Sequence, residues 1–162
     1  MLCNFHENFN FSANWITLSG ADKVRNCALE CYSRFRCKPG RKALLRITAE
    51  SFYVLYLNGI FVGRGPVRGT FGVNYFDTYD ITAFLHDGDN HIAVQIQSMN
   101  LVSNYNSHPA GCALLAEIPG CLVTDTSWKI RHQPGWINTE EEFAKQHGFK
   151  IEWDLRKKTT EN

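Results

Sequence analysis

The run Phe52-Tyr53-Val54-Leu55-Tyr56-Leu57-Asn58-Gly59-Ile60-Phe61-Val62-Gly63 carries the clearest structural signal in the chain. Its first half is rich in aromatic and β-branched residues, which fit a pleated strand. Asn58-Gly59 then separates two apolar runs. Both central residues of a type I′ turn need positive φ, and Asn-Gly supplies them at the least cost, so the stretch reads as strand, tight turn, strand.

The same two-residue period extends on both sides. In Ala43 to Glu50, Leu45, Ile47 and Ala49 share one face and Leu44, Arg46, Thr48 and Glu50 the other, the pattern of a half-buried strand. His91 to Ser98 places Ile92, Val94 and Ile96 inward and His91, Gln95 and Gln97 outward. It follows Asp87-Gly88-Asp89-Asn90, a turn cluster whose side chains bond nearby backbone. Asn14 to Leu18, Leu29 to Cys37, Gly111 to Ile118 and Ser127 to His132 read as further strands. One short helix is predicted over Thr139 to Gly148, where Thr139 precedes Glu142 by three residues and a glycine closes the segment. Trp15, Trp128 and Trp153 fall in strand patterns and are expected in the core, whereas Trp136 follows Pro134-Gly135 in a loop.

Seven or eight short strands without alternating helices predict an all-β domain, an antiparallel β-sandwich or jelly roll of the galactose-binding-like kind. A chain of 162 residues fits one such domain, since about 150 residues already bury roughly 68–70% of their unfolded surface around one core. The expected domain is residues 1–162, with its core at about 14–156. The stretches from Arg64 to Tyr79 and from Met99 to Gly111 read as ordered loops, where binding residues tend to sit on a rigid scaffold.

Charge narrows the partners. Seventeen Lys and Arg against sixteen Asp and Glu leave a formal charge of +1, too little field to neutralise several phosphates, so nucleic acid and anionic membranes are not expected partners. No window approaches the ~18 apolar residues of a membrane-spanning helix, and the first residues lack a basic region followed by an apolar core. The expectation is a cytoplasmic protein whose six cysteines, at 3, 27, 31, 37, 112 and 121, are reduced and packed as small hydrophobes.

Leu55-Tyr56-Leu57-Asn58-Gly59, Val62-Gly63-Arg64-Gly65-Pro66-Val67-Arg68, Tyr79-Asp80-Ile81-Thr82-Ala83-Phe84-Leu85 and Gly88-Asp89-Asn90-His91-Ile92-Ala93-Val94 occur in that order. This succession resembles the N-terminal β-sandwich of bacterial α-L-rhamnosidases, glycoside hydrolase family 78. Asp125-Thr126-Ser127-Trp128-Lys129-Ile130 is similar to a strand of that domain, and Gly148 to Arg156 to the segment leaving it. The likeness covers about residues 14 to 156. The Asn-Gly hairpin and the Asp80 to Asn90 stretch are shared with jelly rolls of family 2 glycosidases of the β-galactosidase and β-glucuronidase type; Gly63 to Arg68 and Phe76 to Thr82 favour the rhamnosidases. The chain departs from the pattern at Val73-Asn74-Tyr75-Phe76, with Phe76 where a second Tyr is common, and in its many cysteines.

The resemblance implies a hydrolase whose carboxylates lie in a separate (α/α)6 barrel of several hundred residues. This chain would then be a non-catalytic accessory domain, with the catalytic barrel of its parent as partner and an oligosaccharide as a weak ligand. A stand-alone lectin-like carbohydrate-binding module is the alternative, and a family 2 jelly roll a third reading.

Residue chemistry yields candidates of its own. A glycosidase needs two carboxyl groups flanking a sugar, and Asp77 and Asp80 are the best-placed pair in the sequence. Asp80 before Ile81-Thr82 also reads as a turn residue bonding its own backbone, and Asp77 as a partner for Arg64 or Arg68. No catalytic residue is assigned. Glycines on either side of Arg64, and Pro66 beyond, would hold a guanidinium fork in one place for sugar hydroxyls or for a neighbouring domain. Saccharide sites combine aromatic rings with amide and charged groups, and two loops hold that mixture: Tyr75 with Arg64 and Arg68, and Asn104, Tyr105 and His108. Those six residues are the candidate carbohydrate-binding or interdomain set. No cofactor is expected. Cys27, Cys31 and Cys37 with His6 or Cys112 lack the spacing of structural zinc knuckles. A structural Ca2+ has Asp87, Asp89 and Asn90 as candidate ligands, a set that equally forms a hairpin turn.

Overall fold

The computed structural model describes residues 10–37, 42–67, 69, 73–101, 111–144 and 148–157. Among them the strands are β1 (Cys27–Arg36), β2 (Leu44–Glu50), β3 (Phe52–Leu57), β4 (Ile60–Gly65), β5 (Asp77–Asp80), β6 (Asp89–Ser98) and β7 (Ala113–Ile118). Six short ones follow: β8 (Leu122–Val123), β9 (Lys129–His132), β10 (Trp136–Ile137), β11 (Glu142–Ala144), β12 (Gly148–Phe149) and β13 (Glu152–Trp153). One five-stranded sheet runs β4-β3-β6-β1-β9 and one four-stranded sheet β5-β2-β7-β8, with every pairing antiparallel. The fold is the expected all-β sandwich. No helix among the described residues is long and apolar enough to cross a membrane.

The core follows from the two-residue period. Leu45 and Ile47 of β2 and Leu114, Ala116 and Ile118 of β7 face Leu29 and Cys31 of β1, Leu55 and Leu57 of β3, and Ile92, Val94 and Ile96 of β6, all buried in one cluster. Each large apolar side chain removed from water contributes roughly 1.5–3 kcal/mol. Burial pushes the Cys31 thiol up to about 12, with the neighbouring Glu30 charge adding to it, so this thiol stays protonated.

The β3–β4 hairpin closes as predicted, with Asn58 at φ 51 and Gly59 at φ 79. Asn58 also ties it to the turn before β6. Its side-chain amide donates to Phe84 O (2.8 Å) and Asn90 Oδ1 (2.9 Å), and its Oδ1 accepts from His91 N (2.8 Å). Asn90, fully buried, donates in turn to His86 O (3.0 Å) and accepts from His86 N (3.1 Å).

Several expectations are corrected. The described residues between 139 and 148 hold no helix: Glu142 pairs with Phe149 and Ala144 with Gly148 as an antiparallel pair. The segment has no apolar stripe to bury, since Phe143 is exposed, while burial of Phe149 and the positive φ of Gly148 favour a reversal. Cys37 and Cys121 are joined in a disulfide, against the expectation of six reduced thiols; it links the end of β1 to the turn between β7 and β8, one sheet to the other. Cys27, Cys31 and Cys112 are free and buried, so Cys37 is no zinc ligand. Trp128 is buried, but Trp15 and Trp153 are 44% and 43% exposed. Segment 14–18 joins the sheet through a single bridge at Ile16, which turns Trp15 outward, and β13 pairs only with β10 outside the sandwich. Part of the loop expected between Arg64 and Tyr79 is strand β5.

Candidate functional site

The glycine-flanked arginine is explained by what lies opposite the glycines. A bulge between Leu55 and Tyr56 sets the register so that Gly65 pairs with Tyr53 and Gly63 with Leu55, two inward positions. A Cβ on Gly63 would lie 2.6 Å from the Tyr79 hydroxyl, and one on Gly65 2.1 Å from Asp77 Oδ2. Tyr53 donates its hydroxyl to Asp77 Oδ2, and its oxygen lies 3.1 Å from that of Tyr79. Burial first, and then the Asp77 carboxylate, push the Tyr53 phenol well above its ordinary range. Strands β3 and β5, one from each sheet, are thus joined by a polar contact for which the glycines of edge strand β4 leave room.

This arrangement decides the acidic pair. Asp77 accepts from Tyr53 rather than pairing with Arg64. Asp80, three positions along β5 and so on its opposite face, accepts from Thr82 N (3.1 Å) and the Thr82 hydroxyl (2.6 Å), the turn role expected of it. The two carboxylates do not converge on a common space. Of the calcium candidates, Asp89 pairs with Arg36 and the Asn90 amide is engaged by backbone. Among the described residues no group of three His, Cys, Asp or Glu side chains is placed to hold a metal.

The predicted binding set is split. Arg68, Asn104, Tyr105 and His108 lie outside the described residues. Arg64 pairs with Val54 and so projects from the outer face of the five-stranded sheet, exposed and without a hydrogen bond or ion pair among the described residues. Tyr75, 50% exposed, lies over the other sheet: its carbonyl accepts from the Thr48 hydroxyl (2.7 Å), on the outward side of β2. Arg64 and Tyr75 therefore belong to opposite sides of the sandwich.

The outer face of the five-stranded sheet carries a row of side chains that crosses every strand: Arg64, Val54, Gln95, Glu30 and Arg131. Glu30 Oε2 accepts from Arg131 (2.7 Å). At the β9 end of this face the C-terminal segment folds over. Asn26, fully buried at φ 48, donates from its side-chain amide to Thr139 O (2.8 Å) and Lys150 O (3.2 Å), while its carbonyl accepts from the Trp136 indole (2.8 Å). Trp136 meets Trp153 edge to face with ring centroids 5.4 Å apart. The ribbon of β10 and β13 so held overhangs the sheet and leaves a cleft of about 360 Å³, whose polar and aromatic lining is Gln95, Gln133, Trp153, Asp154 and Lys157. Pro134 and Leu155 form its apolar flank. Two buried polar atoms on this face, Glu30 Oε1 and Gln97 Nε2, have no hydrogen-bond partner among the described residues. Gln95 and Gln97 were legible as outward residues of a strand, but nothing in the sequence brings a tryptophan 58 positions away from Gln95 to the same cleft.

The chain resembles the α-L-rhamnosidases. A rhamnosidase of glycoside hydrolase family 78 from Bacillus sp. GL1 superposes with a TM-score of 0.84 at 33% identity, over 92% of this chain and 16% of that one. The α-L-rhamnosidase of Dictyoglumus thermophilum gives 0.63 at 22% identity, over 91% of this chain and 19% of that one. That of Streptomyces avermitilis, solved with L-rhamnose, gives 0.59 at 23%, over 84% and 14%. The last two likenesses speak to the fold alone. The chain thus spans less than a fifth of the length of each of these enzymes. No protein-family model and no curated protein matches it.

Proposed function

We propose that this chain is a non-catalytic accessory β-sandwich of a rhamnosidase-like glycoside hydrolase, packing against a catalytic (α/α)6 domain and binding carbohydrate weakly. The observation that carries this reading is the 33% identity over 92% of the chain, set against 16% of the matched enzyme: the likeness is to one domain's worth of a hydrolase. The geometry agrees. Retaining and inverting glycosidases hold two carboxyl groups roughly 5–9.5 Å apart around the sugar, and here the best sequence candidates occupy opposite faces of one strand. Exposed apolar residues at Ile60, Phe61 and Val67, close in sequence to the exposed Arg64, supply a surface of the composition found where domains meet.

The experiment is deletion within the full-length hydrolase. Removing this domain is expected to lower the melting temperature of the remainder. An unchanged melting temperature and yield would contradict the packing role.

A further inference from the structure

We propose that the cleft between the five-stranded sheet and the β10–β13 ribbon is a binding site for a neutral saccharide, with Trp153 as its aromatic platform and Gln95 and Gln133 as its hydroxyl-binding amides. This deepens the carbohydrate-binding part of the reading above and rests on it. It moves the site away from Tyr75, which lies across the sandwich.

The cleft has the attributes such a ligand requires. Its volume of about 360 Å³ lies at the low end of the roughly 300–1,000 Å³ typical of small-molecule sites, the scale of a mono- or disaccharide. Trp153 is 43% exposed yet held in orientation by its edge-to-face contact with Trp136 and by the Asp154 N–H, which donates to Gly135 O (2.7 Å). An indole face that is both accessible and fixed can take the axial C–H face of a pyranose at little cost in side-chain entropy. The amides of Gln95 and Gln133 each offer donors and an acceptor, which matches vicinal hydroxyls.

The sheet face beside the cleft is polar as well. Glu30 lies directly across from Gln95 on β1, and Gln97 two residues along β6 on the same face. Glu30 Oε1 and Gln97 Nε2 are buried without a hydrogen-bond partner among the described residues. Neither residue lines the cleft, so these atoms mark the neighbouring sheet face as polar rather than contact the ligand. A phosphate would meet the Asp154 carboxylate. The cleft has one acid and one base in its lining, Asp154 and Lys157, and favours no net charge.

The test is an NMR titration of the 15N-labelled 162-residue chain with L-rhamnose, D-galactose, lactose and, separately, inorganic phosphate. A saturable shift of the Trp153 indole and of the Gln95 and Gln133 side-chain amides with at least one sugar is expected. Trp153→Ala and Gln95→Ala should each weaken it by about tenfold, and Arg64→Ala and Tyr75→Ala should leave it unchanged. Two substitutions on different elements keep the test informative if one variant fails to fold. Sugar-dependent shifts indifferent to both substitutions would overturn this site while leaving carbohydrate binding intact. Shifts with phosphate alone would overturn the ligand class. No shift with any sugar would overturn both the site and the carbohydrate-binding reading.

Discussion

Gly65 and Asp77 approach each other so closely that a methyl group on the glycine would stand 2.1 Å from the carboxylate oxygen. That carboxylate receives the hydroxyl of Tyr53. The relationship turns a sequence motif into a mechanical statement: the two sheets close along this edge because β4 presents backbone where other strands present side chains.

Gly65→Ala is expected to destabilise the domain by about 1–3 kcal/mol, the usual cost of overpacking. Tyr53→Phe should cost a similar ~1–3 kcal/mol by leaving a half-buried carboxylate without its donor. Urea denaturation checks both: the midpoint should fall with an unchanged slope. Unaltered midpoints would mean that this edge does not hold the sandwich together.

Asn58 and Asn90 bind the first hairpin to the turn before β6 through side-chain amides. Asn90→Ala removes bonds to His86 N and O and to Asn58 at a fully buried position. A loss of ~1–3 kcal/mol per orphaned group follows. Hydrogen exchange should accelerate first at Asn58 N, His86 N and His91 N. Uniform exchange across the sandwich would argue that the hairpin and the turn are not locally coupled.

The Cys37–Cys121 disulfide spans a sequence separation of 84 residues, so reducing it should cost roughly 2–5 kcal/mol through the freed unfolded chain. Thermal melts with and without a thiol reductant test this, with Cys37→Ala as control. Among the described residues, Cys27, Cys31 and Cys112, protected by burial, should react with a thiol probe only after denaturation. Labelling of Cys37 and Cys121 under native, non-reducing conditions would contradict the pairing.

Acid sensitivity has a definite sign. Thr82 holds the Asp80 carboxyl below its ordinary range, Arg36 that of Asp89, Ser127 that of Asp125 and Arg156 that of Asp154. A depressed folded-state value favours folding above the ordinary aspartate pKa of ~3.9 and loses that contribution as pH falls below it. All four groups are at the surface, so each effect is small. The melting temperature should be flat from neutrality to about pH 5 and fall below about pH 4. In Asp89→Asn the fall should be shallower, and an identical profile would exclude Asp89 as a contributor.

The parts of the fold legible in the sequence were those fixed by local chemistry. The period of two located β2, β3 and β6, and Asn58-Gly59 specified its turn outright. Long-range partners were not legible. A Thr-x-x-Glu pattern suggested a helix at 139–148, where the burial of Phe149 and the lack of an apolar stripe produce an antiparallel pair instead. Arg64 drew notice through its flanking glycines, yet those glycines serve Tyr79 and Asp77 rather than the arginine. Trp153 looked like a core residue because strand pattern alone does not reveal that its partner strand lies outside the sandwich. The Cys37–Cys121 pairing depends on the approach of two sheets, which no spacing encodes.

The central claim is that this domain performs no glycoside hydrolysis itself. Its most direct test is the isolated 162-residue chain incubated with 4-nitrophenyl α-L-rhamnoside while nitrophenolate release is followed. The account predicts release indistinguishable from buffer. Release that persists through repurification and disappears in Asp77→Asn or Asp154→Asn would contradict it.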